Sequence, residues 1–95
     1  MSAIDAPSRI LVYGTTWCGD CVLAKRVLDE VGASYDWIDI DSHPDAVDIV
    51  VAINGGRRTV PTIVLPDGQV LVEPNRRELH AALATAGSRS HLGSG

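Results

Sequence analysis

The two cysteines of this chain stand three positions apart, as Cys18 and Cys21, after a short apolar run and before a helical pattern. One helical turn brings residues at this spacing within disulfide range, a Cα–Cα separation of roughly 4.4–6.8 Å. The first turn of a helix also carries backbone N–H groups without intrahelical partners, and these favour the thiolate form of a cysteine placed there. Because Cys18 comes first, its sulfur should be the more exposed. The spacing therefore predicts a reversible dithiol in which Cys18 attacks and Cys21 resolves.

The residues around the cysteines predict a strand, a helix and a second strand. Residues 9–14 hold four consecutive apolar side chains and end in glycine, which is typical of a short buried strand. From 18 to 31 the apolar residues follow a helical period, and Gly32 is the expected stop. A strand over 34–40 then implies a right-handed parallel crossover. The apolar stripe of this helix is predicted to comprise Leu23, Ala24, Val27, Leu28 and Val31.

The next segment predicts a second helix followed by a hairpin. Ser42 can cap this helix, Pro44 is tolerated in its first turn, and the glycines at 55–56 end it. Strands over 59–65 and 69–72 are joined by Pro-Asp-Gly, a tight-turn signal. These two strands are therefore expected to pair with each other.

A last helix completes the pattern. Asn75 and Glu78 match a capping box at its start. The resulting order is β-α-β-α-β-β-α, an α/β fold for which a four-stranded mixed sheet with helices on both faces is the economical packing. We expect residues 1–86 to form a single domain and 87–95 a flexible tail. The stripe of the last helix is predicted to comprise Leu79, Ala82, Leu83 and Ala86.

Composition and charge narrow the possible partners and location. The chain has 95 residues and a net charge of −4, which argues against nucleic acid or an anionic membrane as partner. Nothing reads as a signal peptide, and no stretch approaches the roughly 18 apolar residues of a membrane span. A cytoplasmic location is therefore expected, where a close cysteine pair is more often catalytic or metal-binding than structural. No spacing joins His43, His80 or His91 to the cysteines in a zinc pattern.

Two motifs carry a resemblance to a known family. A Cys-x-x-Cys at the first strand-to-helix turn is typical of thioredoxin-like redox proteins. The chain resembles the glutaredoxin branch of that superfamily over about residues 8–86, through Thr-Thr-Trp-Cys-Gly-Asp-Cys at 15–21 and Asn-Gly-Gly-Arg-Arg-Thr-Val-Pro-Thr at 54–62. It is most similar to the mycoredoxins of actinobacteria, which use mycothiol where most glutaredoxins use glutathione. The resemblance implies a thioredoxin-like, glutaredoxin-type fold.

The resemblance also implies an activity and partners. The protein is expected to be a thiol-disulfide oxidoreductase that reduces protein–mycothiol mixed disulfides through Cys18 and Cys21. It would bind no cofactor, and mycothiol or glutathione would be its cosubstrate. A flavin-dependent disulfide reductase would act upstream, and the protein would be a monomer. Where glutaredoxins carry Gly-Gly-x-Asp before the last helix, this chain has Glu-Pro-Asn-Arg at 73–76, which favours a thiol other than glutathione.

The resemblance and the positions of nearby residues together indicate which residues contact the substrate. Pro61 is similar to the cis-proline that faces the cysteine pair in this superfamily, so the backbone of Val60 would pair with a bound thiol. Trp17 would offer an apolar wall beside Cys18. A basic pair could receive a carboxylate or sugar hydroxyls of the small thiol. The expected substrate-binding residues are therefore Trp17, Arg57, Arg58, Thr59, Val60 and Pro61.

Two other functions fit the same cysteine pair. One is a dithiol redoxin that a thioredoxin-type reductase reduces directly and that donates electrons to ribonucleotide reductase or peroxidases. Such a protein would depend on Cys21, whereas a mixed-disulfide reductase would retain much of its activity without it. The other is a binding module in which two chains pool four thiolates around zinc or an iron–sulfur cluster.

Overall fold

The computed structural model describes residues 9–84, in which four strands and three helices follow the predicted order β-α-β-α-β-β-α. The last helix, α3, begins at residue 76 and continues through 84. The predicted tail at 87–95 and Ala86 lie outside the described residues. The other elements are β1 (Ile10–Gly14), α1 (Gly19–Glu30), β2 (Tyr35–Asp39), α2 (Pro44–Ile53), β3 (Thr62–Val64) and β4 (Val70–Val72).

The four strands form one mixed sheet in the order β2-β1-β3-β4. β1 and β2 are parallel, because α1 carries the chain back across the sheet between them. β3 runs antiparallel to both β1 and β4. The hairpin between β3 and β4 turns at Gly68, which has a φ of 93° and donates its N–H to the Leu65 carbonyl at 2.9 Å. The predicted parallel crossover and hairpin are thus both present.

Two hydrophobic clusters lie on opposite faces of the sheet, because successive side chains of a strand point to opposite sides. In β1, Val12 belongs to the cluster that α1 and α3 cover, and Tyr13 belongs to the cluster that α2 covers. The larger cluster contains Ile10, Val12, Ala24, Val27, Leu28, Ile63, Leu65, Leu79 and Ala82, and the smaller contains Tyr13, Ile40, Ala46 and Val50. The predicted two-faced architecture is confirmed.

Two details of the sequence-based prediction are wrong. Val31 is 45% exposed, because α1 ends at Glu30 and Val31 is its C-cap, outside the buried stripe. Ser42 does not cap α2. The N-cap is His43, and the Ser42 hydroxyl lies 3.3 Å from a carboxylate oxygen of Asp39 instead. Both errors concern helix ends, where a shift of one residue changes the role of a side chain.

The start of α3 has the predicted capping box. The backbone N–H of Asn75 donates to the Glu78 carboxylate at 2.9 Å, and the Glu78 N–H donates to the Asn75 side-chain oxygen at 2.7 Å. Next to it, Arg76 forms an ion pair of 2.6 Å with Glu30 at the end of α1. This ion pair connects the first turn of α3 to the end of α1.

Candidate active site

Cys18 is the N-cap of α1, between the turn after β1 and the first helical residue. Its φ and ψ of −88° and 120° are extended, and its carbonyl accepts the first helical hydrogen bond from the Val22 N–H at 3.2 Å. The side chain caps nothing and is partly exposed. Its sulfur lies 3.9 Å from the Val60 carbonyl oxygen, within range of a weak S–H···O contact. The sulfur therefore lies at a helix entrance, in reach of solvent.

Cys21 lies one turn further along α1 and is completely buried. Both cysteines are free thiols in this structure. Gly14, the last residue of β1, leaves the space that the Cys21 sulfur occupies. A Cβ on Gly14 would lie 2.6 Å from that sulfur and 2.7 Å from the Trp37 ring. Only glycine therefore fits at this position without displacing its neighbours.

Burial raises the pKa of Cys21 from its usual 9.0 to about 12. A backbone hydrogen bond with Thr15 lowers that pKa, while the neighbouring Cys18 and the Asp20 carboxylate raise it further. At neutral pH Cys21 is therefore a protonated thiol. Of the two cysteines, Cys18 alone combines an accessible sulfur with a helix N-terminus.

The raised pKa of Cys21 predicts a loss of stability in alkali. Because the folded state holds this proton more tightly than the unfolded chain does, the stabilisation is complete below about pH 9 and disappears as the pH rises through 12. The free energy of unfolding should fall across this window by at most about 1.4 kcal/mol per pH unit from this group. Urea unfolding at stepped pH measures the slope.

The control for this prediction is Cys21→Ser in the same titration. Burial also raises the pKa of Tyr13 and that of Tyr35, so both tyrosines add to the alkaline slope and remain in the variant. The difference between the two slopes therefore belongs to Cys21. Parallel curves for the parent and the variant would contradict the assignment.

The segment before β3 faces Cys18 from the other side. The Val60–Pro61 peptide bond is cis, as the resemblance implied, and Pro61 is buried. The predicted strand over 59–65 is shorter at both ends and begins at Thr62. The Thr62 hydroxyl donates to the Thr59 carbonyl at 2.8 Å and accepts from the Asn54 amide at 3.0 Å. Thr59 thus has a structural partner, and the Val60 carbonyl contacts the Cys18 sulfur at 3.9 Å.

Asp41 joins two of the predicted binding residues. Its Oδ2 accepts a hydrogen bond from the Trp17 indole Nε1 at 2.9 Å, and its Oδ1 pairs with Arg58 at 2.8 Å. The Trp17 ring itself is 74% exposed beside Cys18. Arg57 is also exposed, and no carboxylate within residues 9–84 forms an ion pair with it. Within the described residues, the charge of Arg58 is therefore paired with a carboxylate, whereas the charge of the adjacent Arg57 is not.

Asp41 is the residue of this site that the sequence did not identify. It lies in the short connection between β2 and α2. Its partners are 24 and 17 positions away in the chain, so no local pattern links them. Within the described part of the chain, no group of three or more His, Cys, Asp or Glu side chains is placed to hold a metal ion.

Comparison with known proteins identifies the family of this chain. The family model for glutaredoxin matches residues 10–71, which is more than half of the chain. The chain belongs to the glutaredoxin family. Because the members of this family are thiol-disulfide oxidoreductases, this chain is one as well.

Relatives agree with this assignment. The chain is 39% identical over 76 residues to a glutaredoxin-type protein of Mycobacterium tuberculosis, a match that covers 80% of this chain and 90% of the relative. It is 36% identical over 76 residues to mycoredoxin 1 of Corynebacterium glutamicum, covering 80% and 94%. The crystal structure of a glutaredoxin from Archaeoglobus fulgidus superposes with a TM-score of 0.67 and 25% identity, covering 76% of this chain and 82% of that one.

One segment of this glutaredoxin-family protein bears on substrate binding. Residues 73–76 differ from the glutaredoxin pattern. Two of them are engaged within the fold, Asn75 in the capping box and Arg76 in the ion pair with Glu30.

No helix within residues 9–84 has both the length and the apolar content that a membrane crossing requires.

Proposed function

We propose that this protein reduces mixed disulfides between proteins and mycothiol, with Cys18 as the attacking thiolate. The observation that carries the proposal is the asymmetry of the pair. Cys18 is accessible at the helix entrance, whereas Cys21 is buried and has a pKa raised to about 12. An accessible first thiol and a protonated second thiol suit a reaction that begins at Cys18 and can finish without Cys21.

The reaction begins when the Cys18 thiolate attacks the mycothiol sulfur of the mixed disulfide. An S–S bond forms between Cys18 and the mycothiol sulfur, the S–S bond between that sulfur and the protein sulfur breaks, and the protein thiolate leaves with the electron pair and takes a proton from water. A second mycothiol thiolate then attacks the mycothiol sulfur on Cys18. This step forms mycothiol disulfide and regenerates the Cys18 thiolate. Overall, the protein sulfur is reduced from the disulfide to the thiol level and the second mycothiol sulfur is oxidised from the thiol to the disulfide level, while the first mycothiol sulfur stays at the disulfide level.

In this proposal the other site residues orient the adduct. Trp17 provides an exposed aromatic wall next to the reacting sulfur. The backbone of Val60, preceding Pro61, faces the same sulfur and offers polar groups to the amide of a bound thiol. Thr59 supports that backbone through its contact with Thr62. Arg57 is the exposed cation for the polar end of the small thiol.

Mycothiol is preferred to glutathione as cosubstrate for two reasons. Mycoredoxin 1 of Corynebacterium glutamicum is 36% identical to this chain and matches 94% of its own length. The segment at 73–76 also has no Gly-Gly-x-Asp, and its Asn75 and Arg76 side chains already have partners in the fold. These two polar side chains are therefore already engaged within the fold.

The same proposal includes a setting for the enzyme. It would act as a cytoplasmic monomer, and a flavin-dependent disulfide reductase would regenerate mycothiol from its disulfide. The net charge of −4 supports small thiols and proteins, rather than nucleic acid or membrane, as partners.

The test is mass spectrometry of the Cys21→Ser variant after challenge with mycothiol disulfide and, separately, with glutathione disulfide. We expect a mycothiol adduct on Cys18 and, in steady-state assays with mycothiol, at least about half of the parent turnover, because a second thiol replaces Cys21. A preferred glutathione adduct would contradict the cosubstrate. Loss of turnover in the variant, with direct reduction of the parent by a thioredoxin-type reductase, would favour the dithiol redoxin. Stoichiometric metal in the freshly purified parent protein, at half an ion per chain, would favour the dimeric binding module.

A further inference from the structure

The Asp41 carboxylate bridges two segments that flank Cys18. Each of its oxygens has one partner, the Trp17 indole on the β1–α1 turn and the Arg58 guanidinium on the segment before β3. Trp17 precedes Cys18 in the chain, and Arg58 lies two residues before Val60, whose carbonyl is 3.9 Å from the Cys18 sulfur. Asp41 therefore joins both sides of the surface on which a small thiol must lie.

Hydrogen bonds to the Asp39 carboxylate fix the loop that carries Asp41. The backbone N–H of Asp41 donates to the Asp39 carboxylate at 3.0 Å, and the Ser42 hydroxyl contacts the other oxygen of the same carboxylate at 3.3 Å. Asp39 is the last residue of β2, so the Asp41 loop is anchored to the sheet. Because the loop is fixed in this way, Asp41 can orient Trp17 and Arg58 before a substrate arrives.

The Asp41 carboxylate already neutralises the positive charge of the Arg58 guanidinium. A carboxylate of an incoming thiol has to compete with Asp41 for the guanidinium, and its own charge is repelled by that carboxylate. Glutathione carries two carboxylates and one ammonium group, so it is a net anion. Mycothiol carries acetamide, amide and sugar hydroxyl groups and has no carboxylate. The competition therefore disfavours glutathione relative to mycothiol, which presents no carboxylate to Arg58.

We propose that Asp41 is a positioning residue that selects small thiols by charge: by occupying Arg58, it disfavours anionic thiols and favours neutral ones. This inference rests on the proposed function and concerns the specificity of the same site. The effect is moderate and sensitive to salt, because the side chains of Arg58 and Asp41 are 53% and 41% exposed.

The experiment compares two probes that share the same disulfide and differ at the two carboxylates of glutathione. One is the mixed disulfide of a reporter peptide with glutathione, and the other is the same disulfide with glutathione diethyl ester, in which both carboxylates are masked. The readout is the ratio of kcat/KM for the acid to that for the ester. In Asp41→Asn this ratio should rise about threefold at low ionic strength, the size expected for an exposed ion pair, and the rise should shrink in high salt. Asparagine keeps an oxygen for the Trp17 indole, so the variant removes the charge and retains the wall.

Two further variants make the test specific. Arg58→Gln should lower the ratio, because it leaves the Asp41 carboxylate uncompensated beside the thiol. Asp41→Asn combined with Arg58→Gln should lose the gain of the single Asp41 variant. Asp48→Asn is the matched control, since it removes one exposed carboxylate from α2 and should leave the ratio unchanged. The changes should appear mainly in KM, because they act on binding.

An unchanged ratio in Asp41→Asn, or a rise of equal size in Asp48→Asn, would overturn the inference. These outcomes are distinct from failure of the proposed function. If the parent protein does not turn over mycothiol mixed disulfides, the cosubstrate proposal fails, and the charge selection is still judged by the two glutathione probes. If the parent is active with mycothiol and the ratio does not move, only the role of Asp41 is wrong.

Discussion

Replacing Cys18 by serine is expected to lower the disulfide-reductase activity by about a thousandfold or more, the scale on which the loss of an enzyme nucleophile acts. The remaining thiol cannot substitute for it, because Cys21 is completely buried and its pKa is raised to about 12. A serine hydroxyl does not form a comparable nucleophile at neutral pH. The measurement is the initial rate of release of a reporter peptide from its mycothiol mixed disulfide, with mycothiol and its reductase in excess.

Cys21→Ser is the matched control for this prediction, because it changes the same atom type three residues away. It should keep much of the activity if the second mycothiol resolves the adduct. Far-ultraviolet circular dichroism of both variants should match the parent, since each exchange replaces only a sulfur by an oxygen. If Cys18→Ser retained substantial activity while folded, the proposed role of Cys18 would be wrong.

Replacing Gly14 by alanine should lower the free energy of unfolding by about 1–3 kcal/mol, the usual cost of forcing an extra methyl group into a packed interior. The added Cβ would lie 2.6 Å from the Cys21 sulfur and 2.7 Å from the Trp37 ring, so at least one of these groups has to move. Cys21 has little freedom to do so, because its side chain is short and completely buried. Urea unfolding followed by tryptophan fluorescence measures the shift in midpoint at constant slope.

Gly19→Ala is the control for Gly14→Ala. Gly19 is the first residue of α1, and nothing lies within 4 Å of a Cβ built there. The exchange should therefore leave stability unchanged or raise it by up to about 1 kcal/mol, the gain of alanine over glycine in a helix. Equal stability of the two variants would show that the contact of Gly14 with Cys21 is not the constraint inferred here.

The sequence predicted the fold through features that act over a few residues. The apolar period of α1, the turn at Gly68 and the capping box of Asn75 and Glu78 each depend on neighbours within one or two turns of chain. Their geometry could be read from spacing, and the structure confirms it. Helix ends were less predictable: at Ser42 and Val31 a displacement of one residue decided which side chain capped and which was exposed.

In the candidate site, too, the features that depend on neighbouring residues were predictable, and the contacts between distant segments were not. The position of Cys18 at a helix entrance follows from the local pattern, and the cis-proline segment was expected from the resemblance to glutaredoxins. The bridge of Asp41 to Trp17 and Arg58 could not be predicted, because it joins residues 24 and 17 positions apart. The same holds for the neutralisation of Arg58, while the adjacent Arg57 has no ion-pair partner within residues 9–84.

By itself, the sequence determined the order of the elements and the place of the two thiols on them, because helix period, turn residues and caps are properties of short stretches of chain. Only the tertiary structure decided how different those thiols are. The depth of Cys21 depends on β1 and β2 packing against α1, with Gly14 leaving room for its sulfur. Burial and charge pairing depend on which distant segments meet, and that is set by packing of the whole domain.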